Sequence, residues 1–156
     1  MKPNGARDRL AWQQTALNLA FDIAGYRSED PYTQVGACAL FKEGFKIALG
    51  YNGPPAGVEI NWLDRVSKNE RVIHAEENVL ESFKRGEVYL LACTHMPCKH
   101  CIRIIAQKKV PLVVYSIRIP KYAPEKTEEL AKEFGVELIQ MKPSTKNAPE
   151  SLEYKG

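Results

Sequence analysis

The stretch "VPLVVYSIRIPKYAPEKTEELAKEFGVELIQM", Val110 to Met141, decides how this chain folds. "VPLVVYSI" is a short apolar run rich in β-branched residues and reads as a buried strand. Pro124 opens a helix, at a start position where a missing N–H leaves no helix bond unmade. The helix runs to Phe134, Gly135 ends it, and "VELIQM" reads as the next strand. A helix joining two strands is a crossover, so these strands are predicted to lie parallel.

Working outward, "EVYLLAC" reads as a strand, and Cys98–Lys108 as a helix with Ile102, Ile105 and Ala106 inward. Ala75–Lys84 is a predicted helix with Val79, Leu80 and Phe83 on one face. "QVGACALF" and "FKIALGY" are β-rich runs around "KEG", a hairpin signal. Arg9–Ala24 carries Leu10, Leu17, Phe21 and Ala24 at helical spacing and is predicted to end near Gly25. Two prolines and two glycines make "NGPPAG" a loop. Val58–Arg71 is open between a short helix and a loop with Trp62, Leu63 and Val66 packed beneath it. Strands alternating with helices predict an α/β domain of three layers, α/β/α, on a mixed five-stranded sheet whose last two strands are parallel. The domain is expected to span 1–141, with 142–156 a mobile tail, because two prolines and many polar residues follow Met141.

At 156 residues the chain suits one domain with a substantial core. A charge of +3 suits an anionic ligand but falls short of a dedicated nucleic-acid binder. No apolar run is long enough for a membrane helix, and no secretory signal is evident. A cytoplasmic protein with reduced thiols is therefore expected. In that setting four cysteines point to metal or catalysis before disulfides.

Three of those cysteines fall in "ACTHMPCKHC", Ala92 to Cys101. Cys98 and Cys101, at the start of a helix, can aim two thiolates at one ion, which the helix dipole favours. Alone, such a pair could equally be a redox couple. Cys93 reads as a small core thiol, His100 as a solvent-side residue, and His95 as a pocket wall that ligates nothing. The remote candidate is "VIHAEENVL", where His74 and Glu76 stand just as a helix opens. His-x-Glu followed by Pro-Cys-x-x-Cys is the zinc deaminase signature. Three ligands, His74, Cys98 and Cys101, leave a fourth position open, which favours catalysis over a purely structural zinc. The expected chemistry is attack of a zinc-activated water on C4 of cytosine. Glu76 would take the water's proton, deliver it to the ring and help ammonia leave.

"RSEDPYTQVGAC" (27–38), "GYNGPPAG" (50–57), "HAEENVL" (74–80) and "MPCKHC" (96–101) together resemble deoxycytidylate (dCMP) deaminases, over roughly Ala11 to Val114. The resemblance implies a cytidine-deaminase-like fold and hydrolysis of dCMP to dUMP and ammonia, supplying dUMP for thymidylate synthesis. It implies zinc on His74, Cys98 and Cys101, with Glu76 as proton shuttle. It places Asn52 on the deoxyribose or base and the Ala75 N–H on the pyrimidine O2. Arg27 and Ser28 would meet the 5′-phosphate, and Tyr115 the base or phosphate, with Lys121 and Tyr122 as weaker candidates. It also implies a homo-oligomer, a hexamer, with dCTP and dTTP as effectors. Three alternatives stay open: a substrate shifted to dCTP or 5-modified dCMP, a deaminase that edits tRNA or another nucleic acid, and a zinc-stabilised nucleotide-binding module without catalysis.

Overall fold

The computed structural model describes residues 4–43 and 46–154. The element order is α1 (Trp12–Arg27), β1 (Gly36–Phe41), β2 (Ile47–Tyr51), α2 (Arg65–Arg71), α3 (Ala75–Leu80), β3 (Val88–His95), α4 (Lys99–Gln107), β4 (Leu112–Ile117), a 3-10 turn (Pro120–Tyr122), α5 (Pro124–Phe134) and β5 (Glu137–Gln140). One sheet runs β2-β1-β3-β4-β5. Its first two pairings, β2 with β1 and β1 with β3, are antiparallel. β4 is parallel to β5, as the crossover through α5 requires. β3 is parallel to β4 as well, joined by the crossover through α4.

Alternation along the strands makes the layers. Ala37, Ala39, Leu91, Cys93, Val113 and Tyr115 face one way and pack with Val79 and Leu80 of α3, Ile102 and Ile105 of α4, and Ala131 of α5. Cys38, Leu40, Leu90, Ala92 and Val114 face the other way, against Ala16, Leu17, Ala20 and Phe21 of α1. Two glycines let helices sit close to the sheet. A Cβ on Gly36 would lie 2.0 Å from the Ala20 carbonyl oxygen, and one on Gly50 would lie 2.9 Å from that of Ala75. Gly50 thereby seats the first turn of α3.

The structure departs from expectation in several places. α1 begins three residues later than predicted and runs through Gly25 to Arg27; Leu10 is left exposed outside it. A side chain at Gly25 would meet nothing, so the glycine weakens the helix there without stopping it. Of the two readings of 58–71, the short helix is the one that forms. The Asp64 carboxylate caps it by accepting from the Ser67 N–H at 3.1 Å, yet Leu63 and Val66 stay exposed and its buried residue is Lys68. Gly44 and Phe45 of the hairpin lie outside the described residues.

The segment after β5, expected to be a mobile tail, runs back across α1. Asn18 bonds Ser144 at both its main chain and hydroxyl. Asp22 accepts from Thr145 Oγ1 at 2.6 Å and from Asn147 Nδ2 at 2.8 Å. Ala148, Leu152 and Tyr154 then pack on the α1 side of the core.

Candidate active site

Two helix starts carry the metal-capable residues. His74 is the extended residue before α3, with Ala75 and Glu76 opening the helix. Cys98 holds the same place before α4, and Cys101 follows in its first turn. His74 is placed by a two-way bridge just upstream, in which Ile73 N donates to Gly53 O at 2.8 Å and Gly53 N to Ile73 O at 3.2 Å. The "NGPP" loop is thus bonded to the strand-like lead into α3.

His74 Nδ1 lies 3.2 Å from Cys101 Sγ and 3.5 Å from Cys98 Sγ, and all three ligand atoms lie within 4.8 Å of one another. The Cys98 thiol is drawn down to about 3, first by its hydrogen bond with Cys101 and also by His74, against its own desolvation. His74 is raised to about 9, chiefly by its bond to Cys98. Cys101 is pushed up, first by the neighbouring Cys98. Each of the three groups thus shifts the others, with Cys98 the one held toward its thiolate. A divalent cation displacing those protons would satisfy the same donors, one imidazole nitrogen and two sulfurs, which is a zinc-type set.

Glu76 is 4% exposed, and burial raises its carboxyl pKa. It is beside this trio, close enough for His74, Cys98 and Cys101 all to act on its charge. A cavity of about 260 Å³ opens over His74, Ala75, Glu76 and Cys98. Ala75 is the first residue of α3, where helix N–H groups have no intrahelical acceptor.

The remaining predicted residues fall in different places. Asn52 lines the cavity, but its amide is committed to the protein. Its Oδ1 accepts from Ser28 Oγ at 2.6 Å and Val35 N at 3.0 Å; its Nδ2 donates to Thr33 O at 2.9 Å and Asp30 Oδ2 at 3.3 Å. That uses its two donors and two acceptors. Ser28 stands behind Asn52. Arg27 is exposed at the end of α1 with its guanidinium 5.8 Å from the Tyr51 ring centroid, and it does not line the cavity. Tyr115 is not on the cavity either. Alternation along β4 turns it into the core with Val113, near Ala131 and Val136 of the α5 layer. Cys93 is a fully buried core thiol, raised well above its usual range by desolvation. His100 is on the surface, 3.2 Å from Glu77 Oε1.

Several cavity residues were not singled out from the sequence. Asp30, 1% exposed, pairs with Lys68 Nζ at 2.6 Å in the cavity wall. Its Oδ1 also accepts from the N–H groups of Tyr32 and Thr33. Asp-Pro opening a turn was a usable local signal for Asp30; Lys68 had none, since its partner comes from a distant segment. Tyr154, from the tail, completes the wall beside His95, Tyr122 and Ile119.

With the geometry in view, residues 10–117 match the family described as the cytidine and deoxycytidylate deaminase zinc-binding region. The chain belongs to that family. A deoxycytidylate deaminase of Pongo abelii is 31% identical over 120 residues, 69% of this chain and 66% of that protein. The chain thus spans a little under two thirds of that relative's length. Among solved structures, the dCMP deaminase of the cyanophage S-TIM5 in apo form is 28% identical, covers 90% of this chain and 100% of its own, and has a TM-score of 0.66. The same enzyme in complex with dCMP and dUMP is 30% identical over 83% of this chain and 93% of its own, with a TM-score of 0.64.

Proposed function

We propose that this protein is a zinc-dependent enzyme that hydrolyses dCMP to dUMP and ammonia, with His74, Cys98 and Cys101 holding the metal. The observation that carries this reading is the convergence of one imidazole and two thiols on a cavity that also holds the buried carboxyl of Glu76. Zinc bound there would supply a water able to lose its proton near neutral pH. Glu76 accepts that proton and passes it to N3 of the pyrimidine, then takes the proton of the new C4 hydroxyl and gives it to the departing amino nitrogen. The water's oxygen stays on C4 and the amino group leaves as ammonia, so the atoms balance. The Ala75 N–H holds the pyrimidine O2. Asn52 acts through its neighbours, with Ser28, Asp30, Thr33 and Val35 fixed around it so that the loop keeps its shape over the base.

The resemblance further supports a homo-oligomer, a hexamer, acting in the cytoplasm and responding to dCTP and dTTP. Among the described residues no helix is long and apolar enough to cross a membrane. Light scattering with and without dCTP tests the assembly. The activity is tested by ammonia release and loss of cytosine absorbance with zinc-loaded protein and dCMP. Folded, zinc-loaded protein that leaves dCMP unchanged would falsify the reading.

A further inference from the structure

The cavity has a second wall that the deaminase chemistry does not use. His95 ends β3, is only 8% exposed, and lines the cavity. Its Nδ1 lies 2.7 Å from Thr94 Oγ1. The same Oγ1 accepts from the Gly36 N–H at 3.1 Å. With that hydrogen bond in place, the Thr94 hydroxyl proton has Nδ1 as its nearby acceptor. A Thr94 hydroxyl that gives its proton to Nδ1 leaves the ring hydrogen on Nε2. Desolvation lowers the His95 pKa to about 4, so the ring is neutral at physiological pH. Among the described residues Nε2 has no hydrogen-bond partner. His95 lines the cavity, so an N–H there is placed to donate to whatever occupies it.

The tail supplies the rest of this wall. Tyr154 meets the His95 ring edge to face, with centroids 6.2 Å apart and planes at 90°. It also lies 6.4 Å from the Tyr122 ring, and Lys121 Nζ sits 5.0 Å from its centroid. Bonds from Ser144, Thr145 and Asn147 to α1 fix the route by which the segment reaches this point.

We infer that His95 Nε2–H donates to an oxygen of the bound nucleotide, and that the C-terminal segment is a specificity strap whose Tyr154 holds the His95 ring in place. The inference rests on the proposed deaminase function. It makes His95 a substrate-binding residue and Tyr154 a positioning residue.

The test uses zinc-loaded parent, His95→Leu, His95→Gln, Tyr154→Ala and Tyr154→Phe. Steady-state kinetics with dCMP and with deoxycytidine are paired with calorimetric affinity for dUMP. His95→Leu should raise KM for dCMP and Kd for dUMP about tenfold, the size of one lost neutral hydrogen bond, with a smaller change in kcat. His95→Gln, which can still donate, should recover part of that loss. Tyr154→Ala should move KM in the same direction, and Tyr154→Phe, which keeps the ring, should move it less. A loss confined to dCMP places the accepting oxygen on the phosphate; a loss with both substrates places it on the sugar or base. Unchanged KM and Kd in folded His95→Leu and Tyr154→Ala, beside an active parent, overturn this inference alone. A parent that neither binds dUMP nor deaminates dCMP overturns the deaminase reading, and this inference with it. Bound zinc and thermal midpoints, measured on every variant, separate loss of contact from loss of fold.

Discussion

The two walls of the cavity are built in different ways. On the metal side, His74, Ala75 and Glu76 are consecutive residues at one helix start, and Cys98 and Cys101 sit three apart at another. On the far side, His95 comes from a strand end, Tyr122 from a 3-10 turn and Tyr154 from the tail, brought together only when that tail crosses α1. The metal side needs side chains converging within a few ångströms, and helix geometry supplies that from short spacings. The far side needs only surfaces that meet. The first wall joins two locally set helix starts and should fail abruptly, while the second should fail by degrees.

Removing a metal-side donor should give the largest effect. Cys98→Ala leaves two of the three donors, so bound zinc counted by atomic absorption should drop well below that of the parent, and deamination should vanish with it. Glu76→Gln should separate chemistry from metal on the same wall. We expect kcat to fall by about 10²–10⁴-fold, with zinc content and thermal midpoint near those of the parent. A Glu76→Gln enzyme retaining more than a tenth of parental kcat removes Glu76 from the proton path.

Asn52 joins the loops on which both walls stand, and its loss should register as stability. Asn52→Ala strands Val35 N and the Thr33 carbonyl and takes one partner from Asp30 Oδ2, which keeps Lys68. Urea unfolding should show a loss of about 1–3 kcal/mol. An Asn52→Ala protein as stable as the parent but impaired only in KM would instead restore Asn52 as a direct substrate contact.

The smallest effect concerns pH. His95 takes up a proton near 6.5 when unfolded but only near 4 when folded, because burial disfavours its charge. Below 6.5 the unfolded chain binds more protons, so this residue's contribution is complete above that pH and is lost as pH falls toward 4. Between pH 6.5 and 5.5 the loss is about 1 kcal/mol. It should appear as the difference in urea midpoint trend between the parent and His95→Gln. Parallel trends would show that the ring is not held neutral on the far wall.

The parallel strands around α5 were legible because the stop at Gly135 and the start at Pro124 are local backbone signals. The cluster of His74, Cys98 and Cys101 was legible because imidazole, carboxylate and thiols in that spacing have few other uses. Tyr115 and Arg27 stand off the cavity for one shared reason. Their residue types suit a nucleotide, but strand alternation turned Tyr115 into the core, and α1 ran on past Gly25 and left Arg27 on the surface. The Asp30–Lys68 pair had no signature, because a pair distant along the chain exists only after folding.

The sequence alone determined the layered α/β plan, the residues able to hold a metal, and the carboxyl poised beside them. The parts follow from short spacings within one helix or strand, where backbone geometry dictates which side chains share a face, while the meeting of His74 with Cys98 and Cys101 waits on the packing of α3 beside α4. Tertiary structure alone decided that Asn52 spends its whole amide on the protein, that Lys68 is buried against Asp30, and that the tail delivers Tyr154 to His95. Those outcomes depend on which surfaces meet once α1, the loops and the tail pack around one sheet, and no local pattern encodes that meeting.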